Sequence, residues 1–244
     1  MPPLVITLLC ICVAVSIIFT ILSFKKTLLN LYLKTVSSML FTFLGVTCLY
    51  FLVKSRLTNP LVFIPELSDN SLIGGFLIIV GLIVCLIGDI ILGMPRISEL
   101  KRDRLPVIIG GASWFALGHL IYCIALITLF GISAWVIVFI IPMALFYTFG
   151  NKLFGKLDYK KLTLGVLFYS LIESLSFALC MNELIFNYSL PALILTVGFT
   201  LFYASDMVLM HNYFGEKRRL ISVLCHSFYY PAQILIALSV CFLV

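Results

Sequence analysis

Charge is what this sequence has least of. Its 244 residues include 16 Lys and Arg and 10 Asp and Glu, or 11% charged, against 63% hydrophobic. With a mean hydropathy of +1.21, that scarcity excludes an ordinary soluble domain, in which about a quarter of residues carry charge. No run of about ten residues alternates apolar and polar, which excludes a lipid-facing β-barrel. No CxxC pair occurs. The eight cysteines (10, 12, 48, 85, 123, 180, 225 and 241) stand singly in apolar runs, and Cys10 and Cys12, two apart, point in different directions on a helix. They read as small core residues rather than a disulfide framework or a thiolate metal site. There is no low-complexity tract.

What is abundant is long apolar sequence. Eight runs, near 3–22, 36–53, 72–93, 107–130, 132–149, 162–181, 187–210 and 222–243, approach or exceed the roughly 20 residues that span a bilayer core. In lipid the backbone must satisfy its own hydrogen bonds, so each run is expected to be a helix. The expected fold is all-α: a polytopic bundle of eight transmembrane helices forming a single membrane domain over 1–244. The first run has no basic region before it and carries Phe24-Lys25-Lys26 after it, so it reads as a retained helix rather than a cleaved leader.

The net charge of +6 is a topological signal and not a nucleic-acid footprint. Loops 23–35, 94–106, 150–161 and 211–221 share one face. They hold Lys25, Lys26, Lys34, Arg96, Lys101, Arg102, Arg104, Lys152, Lys156, Lys160, Lys161, Lys217, Arg218 and Arg219. The opposite face has Lys54 and Arg56. Fourteen against two places the first face in the cytosol and both termini on the non-cytosolic side. The basic rim also suits anionic membrane lipids.

Against this background a few polar residues stand out by depth. Asp89 lies near the cytosolic end of the third run, in "GDIIL" (88–92), and Asp206 at the matching end of the seventh, in "SDMVL" (205–209). The similarity of the two words, 117 residues apart, hints at two related halves. Carboxylates at membrane depth are costly, and a helix C-terminus, already negative, is a poor place for them. The fourth run brings His119 and Tyr122, which share a helical face. The eighth brings His226, Tyr229, Tyr230 and Gln233, and the second starts just after Lys34. All this cargo lies in the cytosolic half, which predicts one polar pocket there. Two carboxyls in such a pocket can divide labour, one as a general acid and the other as an anion that steadies a cation or orients water. Glu173, in mid-span, is expected to face the bundle interior.

These words in this order, "GDIIL", "GASWFALGHLIY" (111–122), "LFYASDMVL" (201–209) and "YYPAQILIAL" (229–238), resemble the YhhN-like lysoplasmalogenase family of eight-span membrane proteins. Lys34 resembles the lysine that opens the family's second span, although Thr35 stands where relatives usually have proline. The resemblance implies a hydrolase that cleaves the vinyl ether bond of 1-alkenyl lysophospholipids. The products would be a fatty aldehyde and glycerophospho-ethanolamine or -choline. It implies no metal and no organic cofactor, a lysophospholipid as partner, and an endoplasmic reticulum membrane as location; oligomeric state stays open. Carried over by position, Asp89 and Asp206 would be acid and stabiliser in either order. His119, Tyr122, Ser205, Tyr229, Tyr230 and Gln233 would position water and substrate, and Lys34 would bind the phosphate. Glu173 and His226 stand where relatives would carry no charge and are left off the catalytic set.

Two other functions fit a bundle of this kind. A zinc-dependent membrane lipid amidase would need about three histidines with an aspartate converging on the metal. Here His119 and His226 lie in spans and His211 at a loop edge. A small-molecule or proton-coupled transporter could use paired intramembrane carboxylates. Against it, the polar cluster is off-centre and no span is broken by a midplane Gly/Pro pair.

Overall fold

Each apolar run becomes a helix, and a computed structural model describes residues 1–22, 28–58, 70–94, 104–159, 162–215 and 219–243. The helices are α1 (Pro3–Leu22), α2 (Leu28–Thr58), α3 (Asn70–Gly93), α4 (Arg104–Phe130), α5 (Val136–Leu145), α6 (Asn151–Phe154), α7 (Thr163–Phe186), α8 (Leu190–Phe214) and α9 (Arg219–Ser239). A π-helical turn, Phe146–Gly150, joins α5 to α6, so these two make one pass. Eight passes are long and apolar enough to cross a membrane, and the described residues contain no strand. The positive-inside reading rests largely on Lys25, Lys26, Arg96, Lys101, Arg102, Lys160, Lys161, Lys217 and Arg218, which lie outside the described residues. The end of the bundle to which they connect is called the basic end below.

Local signals set several helix ends. Ser189 accepts a hydrogen bond from the Ala192 amide ahead of Pro191 in the first turn of α8, the usual pairing of cap and N-terminal proline. Gly131, at φ +75°, closes α4 with its amide on the Ile127 carbonyl, a left-handed conformation that favours glycine.

Three elements depart from the sequence expectation. Helix α2 starts at Leu28, so Lys34 lies inside it and not ahead of it; an ammonium is tolerated there because a buried carboxylate faces it. Helix α8 runs to Phe214, which leaves Asp206 two turns from the end instead of one. The fifth pass, expected as a plain span over 132–149, is irregular. Pro142 has no N–H for the Val138 carbonyl, and the π-turn follows one turn later. Thr148 of that turn shares a 3.0 Å hydrogen bond with Ser170 of α7, and Tyr147 is turned fully inward. One smaller difference concerns the cysteines: all eight are free, but Cys10 faces outward and Cys241 is half-buried.

The tightest packing in the core pairs α3 with α4 through glycine. A Cβ on Gly81 would lie 2.3 Å from the Tyr122 ring, and one on Gly88 would lie 2.9 Å from the Phe115 ring. Small residues of this kind let membrane helices approach closely, and here they make room for two aromatic rings at the site. Gly81→Ala is therefore expected to lower stability by about 1–3 kcal/mol through overpacking. Gly165→Ala, whose Cβ would meet nothing within 4 Å, should be neutral or stabilising by about 0.5–1 kcal/mol from helix propensity. Thermal unfolding of the two variants in detergent checks the opposite signs.

Candidate functional site

Asp89 and Asp206 enter the interior from parallel helices near the basic end, and both are buried, at 2% and 4% exposure. Their surroundings differ. The Lys34 ammonium lies 2.9 Å from Asp89 Oδ1. On the other oxygen, Oδ2, Asp89 accepts 2.6 Å hydrogen bonds from the hydroxyls of Ser38 and Tyr229. Lys34 and Ser38 are one turn apart on α2, so a single face of that helix supplies both.

Behind Tyr229 the donors line up in one direction. Tyr122 donates to Gln233 Oε1 at 3.3 Å, and Gln233 Nε2 donates to the Tyr229 oxygen at 3.1 Å. Tyr229 in turn donates to Asp89. Side chains from α2, α4 and α9 thus direct hydrogen towards a carboxylate of α3. Hydrogen bonds in such a chain polarise one another in a low-dielectric interior. A cation on one oxygen and two hydroxyl donors on the other leave neither oxygen of Asp89 without a partner.

Asp206 has a sparser shell. Tyr169 of α7 donates a hydrogen bond to its Oδ2, and no lysine, arginine or histidine among the described residues forms an ion pair with it. It lies close enough to sense the charges of Asp89 and Lys34. It also lines a cleft of about 260 Å³, bounded by the first turns of α4 and α7, the last turns of α8 and Leu92 of α3. Among the described residues, Asp206 is the one charged side chain on walls that include Ile108, Ile109, Phe168, Leu209 and Met210. Two of its lining residues, Ile109 and Phe168, are exposed apolar side chains.

A wall of rings runs from Tyr229, the donor to Asp89, to Phe115 in the cleft at Asp206. Phe115, which also lines the cleft, meets Phe202 and Tyr229 edge-on at 6.1 and 6.0 Å. Phe202 and Tyr229 meet at 5.5 Å. The sequence predicts one shared pocket; among the described residues no hydrogen bond links the Asp89 network to the Asp206–Tyr169 pair, and it is Asp206 that lines the cleft. His119 stands beside this wall, fully buried, with its ring edge-on to Phe202 at 4.5 Å and Nδ1 3.2 Å from Ser176. Its Nε2 is buried without a partner. The ring also touches Tyr122 at 5.7 Å, in keeping with their shared face.

The remaining residues singled out from sequence, Lys34 apart, lie around this centre rather than in it. Lys34, read there as a phosphate binder, has its ammonium on Asp89. Ser205 turns from its neighbour Asp206 and donates to the Cys225 carbonyl at 3.1 Å, which ties α8 to α9. Tyr230 packs its ring on Phe19 of α1 at 5.5 Å and on Tyr229 at 5.3 Å. His226 donates from Nδ1 to the Ser222 carbonyl of its own helix and also lies on Phe19, at 5.0 Å. The two span histidines therefore do not converge. No group of three or more His, Cys, Asp or Glu suited to a metal ion occurs among the described residues.

A model of the YhhN family matches residues 38–240. The chain belongs to the YhhN family. That family includes lysoplasmalogenases. No curated protein and no solved structure matches the chain. In this YhhN member the match contains both aspartates, the α4 pair and the α9 cluster, while Lys34 lies just ahead of it. Two site residues were not found from sequence. Ser38 carried a signal, one turn after Lys34. Tyr169 carried none of its own, because one more tyrosine near a membrane interface reads as part of the aromatic belt.

Proposed function

We propose that this YhhN member is a lysoplasmalogenase-like hydrolase that cleaves the vinyl ether bond of 1-alkenyl lysophospholipids at the basic, cytosolic end of the bundle. The observation that carries this reading is the position of Asp206, a carboxyl without a cation at the inner end of an apolar, lipid-facing cleft. At about 260 Å³ the cleft falls just below the range of roughly 300–1,000 Å³ usual for ligand pockets. That favours one narrow hydrocarbon chain over a two-chain lipid. The chain would enter sideways with its headgroup left at the basic rim.

Enol ether hydrolysis needs one proton donor and one fixed anion nearby. Asp206, with the sparser shell, gives its proton to the β-carbon of the vinyl ether, and an oxocarbenium ion forms. The fixed negative charge of Asp89, held by Lys34, Ser38 and Tyr229, steadies that cation. Water adds to the cationic carbon and returns a proton to Asp206, so one group serves as acid and then base. The hemiacetal collapses: its C–O bond to glycerol breaks, its hydroxyl proton moves to the leaving oxygen, and a fatty aldehyde is released. Each turnover consumes one water and leaves the protein unchanged.

The test is aldehyde release from 1-alkenyl lysophosphatidylethanolamine by purified protein in detergent, beside the 1-acyl analogue. Aldehyde from the alkenyl lipid, with the ester left intact, is the expected result. Absence of aldehyde over a range of chain lengths would remove the reading.

A further inference from the structure

Glu173 is the acid to which this chemistry gives no task. It lies at the middle of α7, 2% exposed, and neither of its oxygens has a hydrogen-bond partner. A carboxylate at such a depth is costly even on the mildest insertion scales. Tyr147, presented by the π-turn, is also fully buried with its hydroxyl unpartnered. π-Turns are frequent at functional sites. The Tyr147 ring lies 6.4 Å from that of Tyr169 and 5.3 Å from that of Tyr203, and Tyr169 is the donor to Asp206. Glu173, one turn further along α7, is close enough for its charge to interact with that of Asp206. Around Glu173, α8 thus brings Asp206 and Tyr203, and the π-turn brings Tyr147. Helix α4 brings His119 and Cys123 through Ser176, while α5 brings no titratable side chain.

The reaction needs water as well as lipid, and neither Glu173 nor Tyr147 lines the apolar cleft that would hold the chain. A buried water takes about three hydrogen bonds from otherwise unpaired polar groups. We propose that Glu173 and Tyr147 hold the attacking water beside Asp206, and that Glu173 acts through hydrogen bonds rather than charge. The proposal rests on the hydrolase reading above. In the cycle, the held water forms its bond to the oxocarbenium carbon and passes one proton to the Asp206 carboxylate left by the first step. Glu173 neither gains nor loses a proton. It is a catalytic residue in the sense that it touches the reacting water.

Glu173→Gln, Glu173→Leu and Tyr147→Phe are compared with wild type by steady-state aldehyde release and by thermal unfolding in detergent. Glutamine keeps the shape and the hydrogen bonds, so kcat should stay within about threefold of wild type with an unchanged pH profile. Leucine removes the hold on water; kcat should fall about 100-fold while KM stays within about twofold. Its unfolding temperature should not fall, because a carboxyl that no other side chain pairs has been replaced by an apolar group in the interior. Tyr147→Phe should lower kcat by about tenfold. A Leu variant with wild-type kcat, or a Gln variant as slow as Leu, overturns the proposal while the hydrolase reading stands. If Leu fails to fold, a Tyr147→Phe variant with wild-type kcat overturns it. A wild type that releases no aldehyde takes down both.

Discussion

Asp206→Asn is expected to abolish aldehyde release to within detection, with a loss in kcat of at least about 100-fold and up to about 10,000-fold, the range for removing a general acid. Asparagine has nearly the same shape and still accepts the Tyr169 hydrogen bond, so the helices have no reason to move. Because Asp206 has no cation, the substitution removes a poorly compensated acid from the interior. The variant should unfold at the same temperature as wild type or higher, a trade of activity for stability seen where a site stores cost. Measuring kcat and unfolding temperature on one preparation tests both halves. Unchanged kcat would remove Asp206 as the acid, and a large fall in unfolding temperature would show its role to be structural.

Lys34→Met should have the opposite character. Removing the ammonium leaves Asp89, 2% exposed, as an uncompensated charge, and breaking a buried pair from one side costs about 3–5 kcal/mol. Ser38 and Tyr229 still donate to the carboxylate, which should keep the loss toward the lower end. The second change, Asp89→Asn on top of Lys34→Met, should recover much of that stability, because the charge that needed pairing is gone. It should not recover activity, since the anion that steadies the oxocarbenium ion is missing. A double-mutant cycle in detergent, read by thermal unfolding, measures the coupling. A coupling near zero would mean that the 2.9 Å contact contributes nothing, and that Lys34 is free to serve the substrate as the sequence implied.

The contrast between these two variants was not legible in the chain. From the sequence, Asp89 and Asp206 were equivalent: each sits in a similar word near the same end of parallel helices. Hydropathy and positive-inside bias place a residue along the membrane normal, because both follow from the solvent at each depth. They carry little information about which neighbour a side chain meets at that depth. Lys34 and Ser38 come from α2 and Tyr229 from α9, up to 140 residues from Asp89, and helix rotation decides who is close. The same limit explains Tyr230, whose position next to Tyr229 turns its ring about 100° round α9 and onto Phe19.

What the sequence determined by itself was the solvent and therefore the class of structure. Chains so poor in charge, broken into eight apolar runs, must be membrane helices because lipid offers the backbone no other partner. It also indicated the depth of the polar residues, hence the end of the bundle near which Asp89 and Asp206 lie. Tertiary structure decided the rest. Close approach at Gly81 and Gly88 seats Tyr122 and Phe115. The rings of Phe115, Phe202 and Tyr229 pack edge-on between the donor to Asp89 and the cleft wall. A π-turn after Pro142 aims Tyr147 toward the tyrosine that holds Asp206. These are contacts between residues far apart in the chain, set by side-chain volume and helix rotation, and no local pattern encodes them.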